Sequence, residues 1–218
     1  MSKKLLGITF GLLAMGVAAS AAPVACSPDG TANVVGSTIN CGPFVFSNFT
    51  VQPNTGSTAT ISMTAFSASS WDPATGFVDL SFQIGNQSAS LNDILFGYSV
   101  TGPLNGIDLS NGATSVNVTI SESVCLVQFV NGVCNSQPNL LTGTNPLVAG
   151  PNSSTANSFS TVQSAWILKD IRFGSPGPFI SDFSESHHSA VPEPMTLSMM
   201  GLGLLGLGLA RRRQQVKK

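Results

Sequence analysis

Val78-Asp79-Leu80-Ser81-Phe82-Gln83-Ile84 alternates apolar and polar residues without a fault, and Ala59-Thr60-Ile61-Ser62-Met63-Thr64-Ala65 does the same. A period of two puts every second side chain on one face of an extended strand, so each segment has one face to bury and one to hydrate. Working outward from these two, further candidate strands run over 44–51, 94–100, 115–120, 124–130, 162–173 and 179–183. Turn chemistry separates them at Asp72-Pro73, Gly76, Asn105-Gly106, Asn111-Gly112 and Asn131-Gly132, where glycine accepts the positive φ of tight turns. No helical period stands out between the two ends of the chain. The expected fold is all-β: an antiparallel two-sheet β-sandwich, jelly-roll-like topologies included, with the phenylalanines of the body filling its core. Alternation does not separate stacked sheets from a closed barrel, which stays open as the alternative.

The chain has 218 residues, enough for one domain once its ends are set aside. Its net charge of −1 hides a polarised distribution. Lys3, Lys4, Arg211, Arg212, Arg213, Lys217 and Lys218 lie at the extremes, whereas the body between Ala22 and Val191 sets nine carboxylates against Lys169 and Arg172, a net of −7. Such a surface repels phosphate backbones, so nucleic acid is not an expected partner.

The N-terminus has the order of an export signal: Lys3-Lys4, an apolar run from Leu5 to Val17, and small residues ending in Ala19-Ser20-Ala21. Cleavage is expected after Ala21, giving a signal peptide over 1–21, an exported β domain over 22–183, a polar linker over 184–190 and a tail over 191–218. In that tail Val191-Pro192-Glu193-Pro194 precedes an apolar run from Met195 to Ala210 and then Arg211-Arg212-Arg213. As a helix the run would span about 24 Å at ~1.5 Å per residue, short of the ~30 Å hydrocarbon core but within reach of snorkelling and bilayer thinning. Basic clusters resist translocation, so both ends of the precursor should stay cytoplasmic while the body is exported. The precursor is therefore expected to carry a signal helix at one end and a transmembrane helix at the other.

Val191-Pro192-Glu193-Pro194, the glycine-rich span and the basic stop Arg211, Arg212 and Arg213 together resemble the sorting tail of the PEP-CTERM proteins. The resemblance covers the last 28 residues. It implies recognition by an exosortase, a multi-spanning membrane enzyme of Gram-negative bacteria that make extracellular polysaccharide, with processing near the motif. It also implies a secreted or cell-surface address after transient anchoring in the inner membrane. The two prolines suit such a role, because they remove two backbone donors and hold the segment extended, with Glu193 as its single charge. The body resembles the uncharacterised β domains that precede such tails, through Phe44 to Phe49, Asp93-Ile94 and Lys169-Asp170-Ile171.

Four cysteines in an exported acidic domain point to two disulfides rather than to a metal site. Three pairings are open. The sequential one, Cys26 with Cys41 and Cys125 with Cys134, is preferred, although a two-residue hairpin at Asn131-Gly132 would place Cys134 opposite Phe129. No cofactor and no metal are expected, since no Cys-x-x-Cys pair or histidine has ligand spacing.

The sequence holds no Gly-x-Ser-x-Gly elbow, His-Glu-x-x-His pair or phosphate loop. His187 and His188 fall in the polar stretch before the tail and read as solvated linker. Asp72, Asp79 and Asp93 read as turn-formers or solvent-facing strand residues rather than as a glycosidase pair, and Asp108 with Asn111 is the nearest approach to a calcium loop. Among the flat side chains that a sugar surface would use, Trp166 reads as core, Trp71 as the more exposed, and Tyr98 as a third candidate. Asn48, Asn117 and Asn152 head glycosylation-type triplets. The chain is thus expected to be a noncatalytic secreted or cell-surface protein associated with extracellular polysaccharide or biofilm matrix. The alternative is a secreted carbohydrate-binding module or carbohydrate-active enzyme, because fold alone does not decide activity.

Overall fold

The structure is a computed structural model that describes residues 22–27, 33–63, 69–85, 90–112, 118–134, 140–141, 146–174 and 183–189, with 203, 204 and 206 of the tail. The chain divides into a body, Ala22–Val191, and a second unit made of its two ends. The expected signal peptide, sorting motif and transmembrane run lie outside the described residues, apart from those three. Among the described residues no helix is long and apolar enough to cross a membrane.

Eleven strands are described in the body: β1 Val24–Ala25, β2 Ile39–Cys41, β3 Phe44–Pro53, β4 Thr60–Met63, β5 Ser70–Asp72, β6 Phe77–Gly85, β7 Asp93–Asn111, β8 Val118–Cys125, β9 Leu147–Ala149, β10 Ser153–Phe173 and β11 Phe183–Ser189. Every pairing among them is antiparallel. The two long strands, β7 and β10, pair from Asn111↔Ser153 to Asp93↔Arg172. Each changes its other neighbour part-way. The N-terminal half of β7 pairs with β3 as far as Val45↔Thr101, and its C-terminal half pairs with β11 from Ser189↔Leu104. β10 adds β8 along 166–173, and β8 in turn carries β9. One layer is therefore β2-β3-β7-β10-β8-β9. The other is β10-β7-β11-β6, with β5 and β4 on the far edge of β6 and β1 on β5.

The two layers pack face to face through aromatic side chains. Phe82 and Phe183 of one layer meet Phe96 of the other at ring-centroid distances of 5.1 and 6.0 Å. Phe44, Phe46, Phe49, Tyr98 and Phe173 are buried with them. The fold is thus the expected all-β antiparallel sandwich. The alternation that predicts β6 is the observed one, with Val78, Leu80, Phe82 and Ile84 all buried.

Two boundaries depart from expectation. Asn105-Gly106 is not a turn but lies inside β7, where Ile107 and Leu109 continue the buried face. Glycine is needed at 106 for closeness rather than for φ, since a Cβ there would sit 3.0 Å from His188 Nδ1 and 3.1 Å from the Asn157 carbonyl. The segment 184–190, expected as a linker, supplies β11 through Ser189, inserted between β6 and β7. Its Glu185 and His187 point inward and are buried. The candidate strand over 124–130 ends at Cys125, whereas β3 and β10 run longer than expected.

Both sequential disulfides are present, Cys26–Cys41 and Cys125–Cys134. The hairpin conflict dissolves because both features coexist. Asn131 and Gly132 adopt φ of 52° and 75°, and Val130 and Val133 exchange backbone hydrogen bonds around them. Residues 126–129 leave the strand, so Cys134 meets Cys125 across a loop rather than across a ladder.

The junction between the layers on β7 is Gly102, with φ of 144° and a site where a Cβ would come within 2.6 Å of the Phe44 ring and the Pro43 carbonyl. Gly102→Ala should therefore destabilise the fold by about 2 kcal/mol or more. A lower urea midpoint with an unchanged slope checks it; an unchanged midpoint would mean that the junction tolerates a side chain.

Candidate functional site: a groove on the outer face and a buried charge cluster behind it

Period two gives β3, β7 and β10 an outer face as well as an inner one. Directly paired residues share a face, so the register writes out rows across the sheet. One row runs Ser47, Ser99, Trp166; the next runs Thr50, Gly97, Leu168; a third runs Gln52, Leu95, Asp170. Gly97 leaves its row without a side chain, and Thr50 and Leu168 flank the gap. A groove of about 430 Å³ lies here, walled on one side by Gln128, Phe129, Asn131 and Gly132 of the disulfide-clamped loop. On the other side Asn48 takes φ of 57° at a bulge in β3 and donates from Nδ2 to Ser99 Oγ at 2.9 Å. Asparagine tolerates this left-handed backbone better than most residues.

The lining chemistry is neutral. A half-buried indole (Trp166), Leu95, Leu168 and Phe129 supply apolar surface, and Asn48, Thr50, Gln52, Gln128 and Asn131 supply donors and acceptors. Among the described residues no lining residue is charged. Flat apolar surface ringed by neutral amides and hydroxyls suits a ligand with both C–H faces and hydroxyl groups.

The aromatic expectations change places. Trp166, expected in the core, stands in the groove, because Ala165, Ile167, Lys169 and Ile171 take the inward positions of β10. Trp71, expected to be exposed, is half-buried against the core and lies over Gly42, where a Cβ would collide with its ring. Tyr98 is buried, with its hydroxyl hydrogen-bonded to Glu185.

Behind the groove, on the inner face of the same strands, Lys169 contacts Glu122 and lies 2.6 Å from Glu185, with all three side chains wholly buried. His187 corrects the linker reading: it is buried, its Nε2 is 3.2 Å from Glu185 Oε1 and from Tyr98 Oη, and its ring packs edge-on against Phe46. Burial pushes the Glu122 carboxyl up to about 8, and the nearby charge of Glu185 adds to it. Burial acts on Glu185 in the same sense, but Lys169 and His187 outweigh it and hold Glu185 at about 2. Lys169 is kept above its ordinary value by the two carboxylates in spite of burial, and the Tyr98 hydroxyl is pushed well up by burial beside Glu185. Sequence reading missed this cluster. Its signal was parity: Lys169 falls on the same face as Ile167 and Ile171, and Glu122 on that of Ile120 and Val124.

The remaining candidates have local duties. Asp72 accepts from Ala74 N and Thr75 Oγ1 in its turn, and Asp79 accepts from Ser186 Oγ. Burial, and after it the neighbouring Asp170, raises the Asp93 carboxyl. Asp108 meets His188 at 3.1 Å, while Asn111 donates to the carbonyls of Val118 and Ala149, so the two do not form a calcium loop. His188 itself is half-buried and stacks on Phe77. Among the described residues no group of three potential metal ligands converges.

Fold and groove together define a β-sandwich with a ligand-sized cleft on one outer face. Residues 190–214 match the PEP-CTERM protein-sorting motif, so the chain is a β-sandwich protein carrying a PEP-CTERM tail. No curated protein matches it in sequence. Among solved structures it is similar to the module TmCBM61 in complex with β-1,4-galactotriose, at 12% identity and a TM-score of 0.30, over 65% of this chain and 85% of that one. A second similarity is to a carbohydrate-binding module of the β-sandwich superfamily, at 10% identity and a TM-score of 0.35, over 74% and 60%. A third is to the enzymatically active domain of bacteriophage CBA120 tailspike protein 4, at 11% and 0.31, over 64% and 18%. The sandwich assignment rests on the strand pairing itself.

The Cys125–Cys134 bond holds the groove wall in place. Replacing both cysteines by Ser should cost about 2–3 kcal/mol for a loop of this length. Amide exchange should accelerate most in 126–134, beyond the general acceleration that the lost stability brings, as hydrogen-exchange mass spectrometry would reveal; an acceleration there no greater than in the rest of the body would contradict a local role.

Proposed function

We propose that this protein is an exported, noncatalytic β-sandwich that an exosortase processes at its C-terminal tail, and that its groove binds neutral polysaccharide at the cell surface or in the surrounding matrix. The observation that carries the binding reading is the groove itself: Trp166 and Leu168 beside the side-chain-free Gly97, rimmed by amides and without a charged residue among the described ones. A sugar ring stacks its C–H face on an indole, and its hydroxyls pair with amides, whereas an anionic polymer would meet a body of net charge −7. Cleavage of a glycosidic bond would call for carboxyl groups facing the groove, whereas the described residues that line it are neutral.

The export reading is supported by the sorting motif, by the charge order at both ends and by two disulfides in the body. The signal peptide would end at Ala21, the span from Met195 to Ala210 would hold the precursor in the inner membrane, and Arg211, Arg212 and Arg213 would stop transfer. Val191, Pro192, Glu193 and Pro194 would then stand extended just outside the bilayer, where a membrane enzyme reaches them.

Two measurements test these statements separately. Glycan-array screening of the matured protein should find neutral polysaccharide ligands, and Trp166→Ala should weaken that binding about ten- to thirtyfold while the fold is retained. Absence of any neutral glycan ligand, or equal binding by the variant, would sink the groove reading. Changing Pro192, Glu193 and Pro194 together to Ala should accumulate a membrane-bound precursor that keeps its tail, about two to three kilodaltons heavier than the mature form by the length of the span and its flanks. Peptides from 211–218 in fully matured wild-type protein would contradict processing.

A further inference from the structure

Two carboxylates and one ammonium meet in the buried centre of the sandwich. Lys169 and Glu122 are direct cross-strand partners on β10 and β8, and Glu185 reaches the same point from β11 in the opposite layer. The surroundings are apolar: Phe183 lies 6.0 Å from the ammonium, and Phe46 and Phe96 pack around Tyr98. Each buried ion costs several kcal/mol of lost hydration, and apolar side chains of the same volume often stabilise a core better. A cluster retained at that cost calls for a use.

The two glutamates are not equivalent. Glu185 is contacted by the Tyr98 hydroxyl, by Lys169 and by the His187 ring. Glu122 is contacted by Lys169, and one oxygen of each carboxylate, Glu122 Oε1 and Glu185 Oε1, makes no hydrogen bond. The better-solvated carboxylate keeps its charge, and the poorly solvated one takes a proton. One site thus holds a base, a neutral carboxylic acid and an amine fixed against that acid.

We infer that Lys169 and Glu122 condense into an intramolecular amide, an isopeptide cross-link between β10 and β8, with Glu185 carrying the proton. The step balances as follows. With Glu122 already protonated, Lys169 passes a proton to Glu185, leaving a neutral amine beside a neutral acid. The Nζ lone pair attacks Cδ of Glu122, Glu185 delivers its proton to the departing hydroxyl, which leaves as water, and Glu185 then takes the second proton from the nitrogen and releases it to solvent. The C–O bond breaks, the C–N bond stays, and no oxidant or cofactor takes part. Holding amine and acid in contact replaces a bimolecular encounter by an intramolecular one, an advantage that reaches effective molarities of about 10⁵ M and above. The Glu122 raised to about 8 and the Glu185 lowered to about 2 agree with the roles that the contacts assign. Lys169 favours its ammonium form, so the reactive amine is a minor species, but the reaction is needed once per chain. The product removes one buried cation and one buried acid, and its N–H still faces Glu185. It also ties together two strands by a bond that reductants do not cut.

Protein matured from the full-length precursor, reduced and alkylated, tests this by mass. Chymotryptic digestion should yield the peptides bearing Lys169 and Glu122 joined, one water lighter (about 18 Da) than their sum. Lys169→Met and Glu185→Gln should give separate peptides of full mass, and Glu122→Gln should give the same joined product with ammonia lost instead. Separate full-mass peptides from folded wild-type protein would overturn the cross-link.

Discussion

The pairing of β7 with β10 is the constraint on which the rest of the molecule depends. Both strands are long enough to belong to two layers, and they stay paired to each other while their outer neighbours change. β3 and β8 flank the ribbon at one end, and β11 flanks it at the other. Glycine at 102 and the register shifts in β10 between Ser158 and Ser164 fall where that exchange takes place. A ladder of this length leaves few backbone groups unpaired, and it fixes the register of every strand that attaches to it.

That register has two chemical products, because consecutive residues of β10 point to opposite faces. Trp166 and Leu168 are sent outward to the groove, and Ile167 and Lys169 inward to the core. The binding face and the buried charges are therefore the two sides of one strand. A one-residue slip would put the lysine in the groove and the indole in the core, so groove and cluster stand or fall together.

The buried charges also explain why β11 belongs to the sheet at all. Ser184 to Ser189 carries no apolar residue, and hydrophobic burial gives it little reason to leave water. Its inward positions after Phe183 are Glu185 and His187, and Lys169, Tyr98 and Glu122 are what they find there. The strand is held in place by its backbone ladders with β6 and β7, by Phe183 in the core, by this polar contact set and by the outward contacts of Ser186 with Asp79 and His188 with Asp108.

Much of the fold was legible in the residues alone. Alternation in 78–84 and 44–51 marks strands because a hydrophobic face repeats every second residue, and the Asn131-Gly132 turn was readable because few residues accept positive φ. The sequential disulfides were the preferred of three open pairings, and the tail was readable from the order of motif, apolar run and basic stop, a local feature. The site was less legible. Trp166 sits in a segment apolar on both faces, so parity alone did not say which face was the core; the neighbours of β10 decided it. Glu185 and His187 alternate with serines, a period of two without a hydrophobic signal, and only the meeting with Lys169 of β10 and Tyr98 of β7 made that alternation a buried face. Local pattern therefore determined which segments are extended and what kind of tail follows them. Tertiary structure decided which face is inside, which charges meet and where the groove opens, because those depend on pairings between residues tens of positions apart that no short window of sequence contains.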